Sequence, residues 1–442
     1  MHGTLPQGTA GPCIVTDENS NHPLGPMDRR PPCQRVPWYA AAEKKARIED
    51  RSEIERAQKY LLNRIIEHAS LYSPFYRDRL GNIKDVRFSE FPFTFPSDLA
   101  ESGLRFLTVS QSEIRRIVTL STSGTSAPPK RVFFTSEDLK ATEDFFMCGM
   151  TTFTPPESKV AIFMEGPSPD SIGQILKRAS KRLGCETLVF GLIHDYADAI
   201  LAIDDFRPLV VVGLSAQMAR IAGKTEHKPD FVLLSADMAP ASIRRRIENL
   251  WECITFNHYG LTETGWGCAV ECRARQGCHV KELDLYVEIV DENGRVLPDG
   301  EWGEIVITTI NRMSFPLIRY RTGDEGRILQ DICPCGSPLK RIEVLGRLPK
   351  KGAGGGSLRL YDVEDALWGL PWVEDFKVFL ECAGDIPERL FLTIAVTEGK
   401  QEYVEKSVDV LRQVPGVPSN IIVKKVSLSS IRHQSPKMDW EG

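Results

Sequence analysis

The order of apolar and polar residues predicts helices and strands that alternate through the middle of the chain. Between residues 54 and 66, apolar positions recur at three- and four-residue spacing, which is typical of one face of a helix. These positions are Ile54, Ala57, Tyr60, Leu61, Ile65 and Ile66. Short apolar runs at 160–163, 209–214, 231–234 and 253–256 each follow a helix-like stretch. Strands separated by helices predict βα units and a largely parallel sheet.

The rhythm changes after residue 285, where strand-like segments are divided by the pairs Asn293-Gly294, Asp299-Gly300 and Gly323-Asp324. Such pairs favour hairpin turns, so we expect a β-rich layer. A glycine cluster at 352–356 then precedes a last stretch of alternating helix and strand. The expected fold is α/β. A large N-terminal domain, 39–346, has mixed, largely parallel sheets with helices plus the β-rich layer, and a small mobile α+β C-terminal domain spans 347–442.

Composition narrows the class of protein. The chain has 442 residues, 42% of them hydrophobic, which is enough for two or three domains. Residues 1–38 show no helical or strand period, so we expect a disordered tail. The net charge of −5 supplies no basic field for nucleic acid, and no apolar run approaches the roughly 18–20 residues of a membrane helix. With eleven cysteines the chain is far from a disulfide scaffold, and we expect a cytoplasmic protein.

A hydroxyl-rich loop at 121–130 is the strongest sign of chemistry. Phosphate binding needs inward N–H groups, hydroxyl donors and a cation. The loop offers these groups in Thr122, Ser123, Gly124, Thr125, Ser126 and Lys130. Apolar runs at 117–120 and 132–134 flank it, which predicts a strand, a loop and a strand. A hairpin tip is held at both ends, whereas the alternative for such a stretch is a flexible linker.

The loop does not match the P-loop of nucleotide hydrolases and kinases. That motif requires a second glycine, a lysine, and then a serine or threonine that holds magnesium. Pro129 stands in place of the glycine and Arg131 in place of the hydroxyl. The loop also leads into a strand and not into a helix.

Three motifs together resemble the adenylate-forming enzymes, the superfamily of acyl-CoA ligases, luciferases and peptide-synthetase adenylation domains. The first is the 121–130 loop, the second is Tyr259-Gly260-Leu261-Thr262-Glu263, and the third is Tyr320-Arg321-Thr322-Gly323-Asp324. Residues 259–324 are most similar to phenylacetate-CoA ligases. Shared features there include Glu271-Cys272, Gly277, His279, Leu297-Pro298-Asp299-Gly300 and Pro316-Leu317-Ile318-Arg319.

The resemblance implies a role for each matching residue. The loop would hold the β- and γ-phosphates of ATP, Thr262 would contact the α-phosphate, and Glu263 would help hold Mg²⁺. Tyr259, beside Gly260, would stack on adenine. Asp324 would accept hydrogen bonds from both ribose hydroxyls, as a carboxylate with two oxygens can, although an aspartate after glycine is also common in turns.

Several positions depart from the family pattern. Ser235-Ala236-Asp237 stands where the family usually has Gly-Ala-Glu-Pro, so Ala236 and Asp237 are expected beside adenine and the acyl pocket. Arg347 matches an arginine near the ribose, but Pro349 follows in place of an acidic hinge residue. Proline restricts rotation, so hinge movement would shift to the glycines at 352–356. Lys437 is the candidate for the catalytic lysine, with a solvated terminal charge as the alternative.

A zinc site is predicted in the β-rich part, because six cysteines fall between Cys253 and Cys335. Cys272, His279, Cys333 and Cys335 supply four ligands that suit a closed tetrahedral zinc site of structural type. Cys268 and Cys278 are alternative ligands, and buried free thiols are the other interpretation.

The implied activity is a two-step ligase that joins a small carboxylic acid, aromatic or similarly planar, to coenzyme A through an acyl-adenylate. Two alternatives stay open: an adenylating enzyme with another acceptor, and a silent protein that binds a nucleotide or acyl ligand. The family also implies a homodimer.

Overall fold

The structure is a computed structural model of the chain, and it describes residues 50–80, 87–120, 129–237, 239–352, 357–383, 386–397, 400–431 and 438–441. The predicted tail at 1–38 lies outside these residues, and so do positions 353–356 of the predicted glycine hinge.

The first described part is helical and packs under the β-rich layer. It consists of α1 (Arg51–Tyr72), α2 (Pro74–Leu80) and α3 (Pro96–Ser102). The side chain of Asp50 caps α1 by accepting a hydrogen bond from the Ser52 N–H at 3.0 Å. The helix buries Ile54, Leu61 and Ile65, as the spacing predicts. Tyr60 was wrongly placed on that face: it is 64% exposed, because the apolar stripe runs beside it.

A two-stranded antiparallel hairpin, β1 (Ile114–Leu120) and β2 (Lys130–Thr135), confirms the predicted strand–loop–strand. Leu120 pairs with Lys130, so the hydroxyl-rich loop joins the last pair of the ladder. The helix α4 (Ser136–Met150) follows directly. Thr135 and Asp138 form its reciprocal capping box, which fixes where β2 ends and the helix begins.

Five parallel strands and four helices form the centre of the molecule. The elements are β3 (Lys159–Phe163), α5 (Ile172–Arg182), β4 (Glu186–Val189), α6 (Tyr196–Phe206), β5 (Val210–Gly213), α7 (Ser215–Ile221), β6 (Phe231–Leu234), α8 (Ala241–Trp251) and β7 (Ile254–Tyr259). Alternate residues of a strand enter opposite cores: Val210 and Val212 pack with α4 and α5, whereas Val211 packs with α6 to α8. The prediction of a parallel sheet with βα units is confirmed.

The sheet continues as an antiparallel layer. Its strands are β8 (Ala269–Glu271), β9 (Cys278–Val280), β10 (Leu285–Val290), β11 (Gly303–Thr309), β12 (Tyr320–Ile328) and β13 (Arg341–Arg347). Together they make one eleven-stranded sheet in the order β10-β11-β12-β13-β9-β8-β7-β6-β5-β3-β4. Gly294 and Gly300 lie between strands with positive φ, as predicted. The pair Gly323-Asp324 was wrongly predicted to divide two strands, because it lies inside β12, where the register with β11 shifts.

The remaining described residues form a smaller α+β part with its own four-stranded sheet, β18-β17-β16-β19. The elements are β14 (Lys350–Lys351), β15 (Ser357–Leu358), α9 (Leu360–Trp368), β16 (Val373–Ala383), β17 (Ile386–Val396), α10 (Gln401–Leu411), β18 (Asn420–Lys425) and β19 (Met438–Glu441). This part shares a hydrophobic core with α6, α7 and α8. The domain limits at 346/347 and the mobility of this part stay predictions.

Candidate active site

The carboxyl ends of β6 and β7 lie side by side at the edge where the sheet changes from parallel to antiparallel. In open α/β sheets, ligands bind beyond the carboxyl ends of such strands, at the point where the topology switches. Ala236 follows β6 with φ of 62°. The Ser215 hydroxyl donates to Asp237 Oδ2 at 3.4 Å. The sequence-predicted residues Ala236, Asp237 and Tyr259 therefore meet at one edge.

The hairpin brings a cation to the second motif. Lys130, the first residue of β2, places Nζ 2.6 Å from Glu263 Oε1, and the Tyr320 hydroxyl donates to the same oxygen at 3.0 Å. Glu263 is buried, which by itself would raise its pKa. The Lys130 ammonium and the Tyr320 hydroxyl outweigh burial, and the pKa of Glu263 lies below its ordinary value. A buried, ionised carboxylate therefore lies against Lys130, the last residue of the hydroxyl-rich stretch 121–130.

The turn Thr262–Thr264 is held by unusual backbone geometry. A side-chain carbon on Gly260 would lie 2.0 Å from the Trp266 carbonyl oxygen, so only glycine fits there. Gly265 and Trp266 both have positive φ, 85° and 62°. Strain of this kind persists only where the surroundings over-determine it, and it clusters at functional sites.

Four side chains form a stack that joins the hairpin to this turn. The Arg116 guanidinium lies 5.1 Å above the Trp266 ring, the Trp266 and Phe134 rings are 4.4 Å apart and nearly parallel, and Arg312 lies 4.5 Å from Phe134 on the far side. Arg312 also donates to the backbone oxygen of Glu263 at 2.6 Å. Cation–π and stacking contacts each contribute about 0.5–2 kcal/mol, so the stack keeps Glu263 in register with β2.

Asp324 lies in a bulge of β12 beside Tyr259. Glu304 of β11 pairs with Glu325 and Val306 pairs with Arg321, so residues 322–324 have no ladder partners in β11, although Asp324 still pairs with Arg347 of β13. The Tyr259 hydroxyl donates to Asp324 Oδ2 at 2.8 Å, and Arg347 approaches Oδ1 at 3.4 Å. Burial raises the pKa of Asp324, and Arg347 and Tyr259 oppose this only in part. Three sequence-predicted residues, Tyr259, Asp324 and Arg347, are thus in contact.

His258, the residue before Tyr259 in β7, is a partly buried imidazole at the edge of the sheet. His258 Nδ1 and the Ser235 hydroxyl share a hydrogen bond of 2.9 Å, and the ring lies near Phe145 and Phe146. Burial lowers the pKa of His258 to about 4, so the ring is neutral at pH 7.

The four predicted zinc ligands lie together in the β-rich layer. Their ligand atoms are all within 4.8 Å of one another, with Cys272 Sγ 3.5 Å from Cys333 Sγ and Cys335 Sγ 3.4 Å from His279 Nε2. Zn–S bonds of about 2.3 Å place neighbouring ligands roughly 3.8 Å apart, so the four atoms fit a tetrahedral Zn²⁺ site. The alternative ligand Cys268 lies instead against Thr264, 2.9 Å from its hydroxyl.

Two groups of predicted site residues lie outside the described ranges: Thr122, Ser123, Gly124, Thr125 and Ser126 of the loop, and Lys437. Three residues that complete the site were not predicted from the sequence. Tyr320 could have been predicted, since it is the first residue of the third motif. Trp266 and Arg312 could not, because their contacts with Phe134 and Phe133 join positions more than a hundred residues apart in the chain.

The chain is similar to known proteins in its sequence and in its fold. A family model described as AMP-binding enzyme matches residues 116–314. Phenylacetate-coenzyme A ligase of Thermus thermophilus is 27% identical over 319 residues, covering 67% of this chain and 71% of that protein. The enzyme of the same name from Pseudomonas putida is 26% identical over 322 residues, covering 67% and 72%.

Among solved structures, 2-hydroxyisobutyryl-CoA ligase in the postadenylation state matches with a TM-score of 0.75 at 19% identity, covering 95% of this chain and 94% of that one. This likeness shows a shared fold. Over residues 116–314 the chain is similar to the adenylate-forming enzymes, and among these it is similar to the phenylacetate-CoA ligases.

No helix in the described ranges is both long and apolar enough to cross a membrane.

Proposed function

We propose that the chain is an ATP-dependent acid–CoA ligase that works through an acyl-adenylate. The observation that carries the proposal is the pairing of Lys130, at the base of the phosphate loop, with Glu263 at 2.6 Å, while Asp324 contacts Tyr259 at the end of β7. Groups suited to the phosphates and to the ribose therefore come together from the β1–β2 hairpin, the end of β7 and strand β12. A kinase-type P-loop would instead lead into a helix.

In the first half-reaction, an oxygen of the acid attacks the α-phosphorus of ATP and pyrophosphate leaves. The difficulty is to bring two anions together, so catalysis depends on positioning and on electrostatic stabilisation. The loop residues 121–130 would hold the β- and γ-phosphates and Thr262 the α-phosphate. Glu263 would hold Mg²⁺, which binds through a few carboxylates and substrate phosphates and would neutralise charge there. Lys437 would contact the acid and the α-phosphate.

In the second half-reaction, the thiolate of coenzyme A attacks the acyl carbon, the bond to AMP breaks, and AMP leaves. The neutral His258 and the rings beside it, at the end of β7, suit a largely apolar acyl group. The phenylacetate-CoA ligases among the relatives support an aromatic or similar acid.

The Cys272, His279, Cys333 and Cys335 cluster would hold a structural zinc ion. It lies between β8, β9 and the loop before β13, away from the proposed nucleotide contacts, so it would brace the β-rich layer and take no part in the reaction. A cytoplasmic location and a homodimer stay predictions.

The test is ATP–pyrophosphate exchange over a panel of aliphatic and aromatic acids, followed by CoA-dependent release of AMP. We expect exchange with a subset of aromatic acids. Lys437→Ala should abolish the exchange yet still form thioester from added acyl-AMP, whereas Lys424→Ala, at an exposed lysine of β18, should behave as wild type.

Absence of exchange with every acid, despite ATP binding, would point to the silent binding protein. Exchange without a thioester would point to another acceptor. Normal exchange by Lys437→Ala would show that this lysine has been assigned wrongly.

A further inference from the structure

Arg220 is an arginine of α7 whose side chain is almost fully buried between the central sheet and the C-terminal part. Its Nη1 donates to Asp375 Oδ2 of β16 at 3.2 Å and to the Ile431 carbonyl oxygen at 2.9 Å. Its Nη2 donates to the Leu428 carbonyl oxygen at 2.6 Å. The guanidinium also stacks on the Tyr196 ring of α6 at 3.7 Å.

These contacts fix one alignment of the two parts. The surrounding interface is apolar, and apolar contact is non-directional, so by itself it tolerates small sliding movements. A guanidinium is planar and presents its donors as a rigid fork, so it can meet one carboxylate and two carbonyls in a single arrangement. Buried ion pairs add little net stability to a fold. We therefore expect the Arg220–Asp375 pair to specify how the two parts are aligned.

The alignment matters because the anchored carbonyls lie just ahead of the predicted catalytic lysine in the chain. Residue 431 is held by Arg220, and Met438 pairs with Val378 in the same strand that carries Asp375. Lys437 is the residue before Met438, and consecutive Cα atoms are about 3.8 Å apart. Lys437 itself lies outside the described residues, but the described residues on both sides of it are held to α7 and to β16.

We propose that Arg220 is a positioning residue for adenylation. By fastening β16 and the segment Leu428–Ile431 to α7, it places the C-terminal segment for the first half-reaction. The inference rests on the proposed function. It adds a determinant that touches neither the nucleotide nor the acid.

A second interdomain arginine provides a matched control. Arg246 of α8 donates to the Val373 carbonyl oxygen at 2.5 Å and lies 5.4 Å from the Trp368 ring, so it also joins the two parts. Both of these contacts are made to the stretch 368–373, well before residues 428–431 in the chain. Arg246→Met therefore loosens the same interface without releasing that segment.

The experiment compares Arg220→Met with Arg246→Met in the full chain, in both half-reactions. We expect Arg220→Met to lower the maximal rate of pyrophosphate exchange tenfold or more, with the KM for ATP and thioester formation from supplied acyl-AMP each within about twofold of wild type. Arg246→Met should leave the ratio of the two half-reactions unchanged. Hydrogen–deuterium exchange in peptides covering 426–441 should rise in Arg220→Met and stay near wild type in Arg246→Met.

Removing Arg220 leaves the Asp375 carboxylate buried without this cation, so the double variant Arg220→Met, Asp375→Asn is included to avoid general unfolding. It should show the same split between half-reactions. Equal losses in both half-reactions, an unchanged exchange rate, or the same split in Arg246→Met would overturn the proposal. If the wild type itself catalyses no exchange, the proposed function fails, and the hydrogen–deuterium comparison still decides whether Arg220 anchors the segment.

Discussion

At the scale of single residues, the proposed chemistry depends on two buried carboxylates whose pKa values are shifted in opposite directions. Glu263 has a lysine within 2.6 Å, and its pKa is held low. Asp324 is buried with a more distant arginine, and its pKa is raised. A low pKa suits a permanent anion that receives a metal ion. The carboxylate of Asp324 is costlier to keep charged, and hydrogen bonds from ribose hydroxyls would stabilise it.

This difference predicts how Asp324 discriminates between nucleotides. A hydrogen bond to a charged group contributes about 1.5–3 kcal/mol, so wild type should prefer ATP over 2′-deoxy-ATP by roughly ten- to a hundredfold in kcat/KM. Asp324→Asn should weaken ATP binding and reduce that preference to within about threefold. Asp299→Asn, in a turn of the same layer, is the control. An unchanged preference in Asp324→Asn would remove this residue from the ribose site.

The raised pKa of Asp324 also predicts how ATP binding depends on pH. As the pH falls, Asp324 takes up a proton sooner than an ordinary aspartate would, and it then ceases to be an acceptor at one oxygen. ATP affinity of the wild type should therefore decline on acidification, at a higher pH than the ordinary aspartate value. Asp324→Asn should lack that component of the decline.

At the scale of elements, much of the fold followed from local pattern. The parallel strands were found because buried strands are short, continuous apolar runs, and the hairpin because apolar runs flank a polar loop. The cluster of Cys272, His279, Cys333 and Cys335 was predicted because cysteines are rare and their spacing is conspicuous. The bulge at 322–324 was mistaken for a turn, since glycine followed by aspartate has the same local preference in both settings.

Contacts between distant elements could not be predicted in this way. The stack of Arg116, Trp266, Phe134 and Arg312 draws on three separate segments, and Arg220 meets partners more than 150 residues away. Single-sequence patterns carry propensity and periodicity, and neither identifies which side chains meet across a fold. The motif residues were an exception because the family resemblance linked them.

The proposed zinc site leads to a prediction at the same scale, because its four candidate ligands join the β8–β9 hairpin to the loop that precedes β13. The purified protein should contain about one zinc ion per chain, and Cys272→Ser should lose the ion and unfold at a lower temperature. Metal analysis with thermal unfolding measures both effects. Cys268→Ser, which removes the alternative ligand, should keep the ion. Zinc-free wild type, or equal loss in both variants, would contradict the assignment.

At the scale of the whole molecule, the proposed nucleotide contacts come from the central sheet and the β-rich layer, while the predicted catalytic lysine falls within the last hundred residues of the chain. The two parts share an apolar core along α6, α7 and α8, and Arg220 forms a buried ion pair with Asp375 across the same interface. Such an arrangement separates binding of ATP from completion of the first half-reaction. It also explains why the KM for ATP and the rate of exchange should respond differently to changes at Arg220.

The central claim is that the acid is activated as an acyl-adenylate. The most direct test supplies the preferred acid with ¹⁸O in its carboxylate, together with ATP and coenzyme A, and measures the products by mass spectrometry. Because the attacking oxygen stays on phosphorus when the thiolate displaces AMP, we expect one ¹⁸O atom in the AMP formed and none in the pyrophosphate. Unlabelled AMP, or label in inorganic phosphate with ADP as the nucleotide product, would contradict activation through an acyl-adenylate.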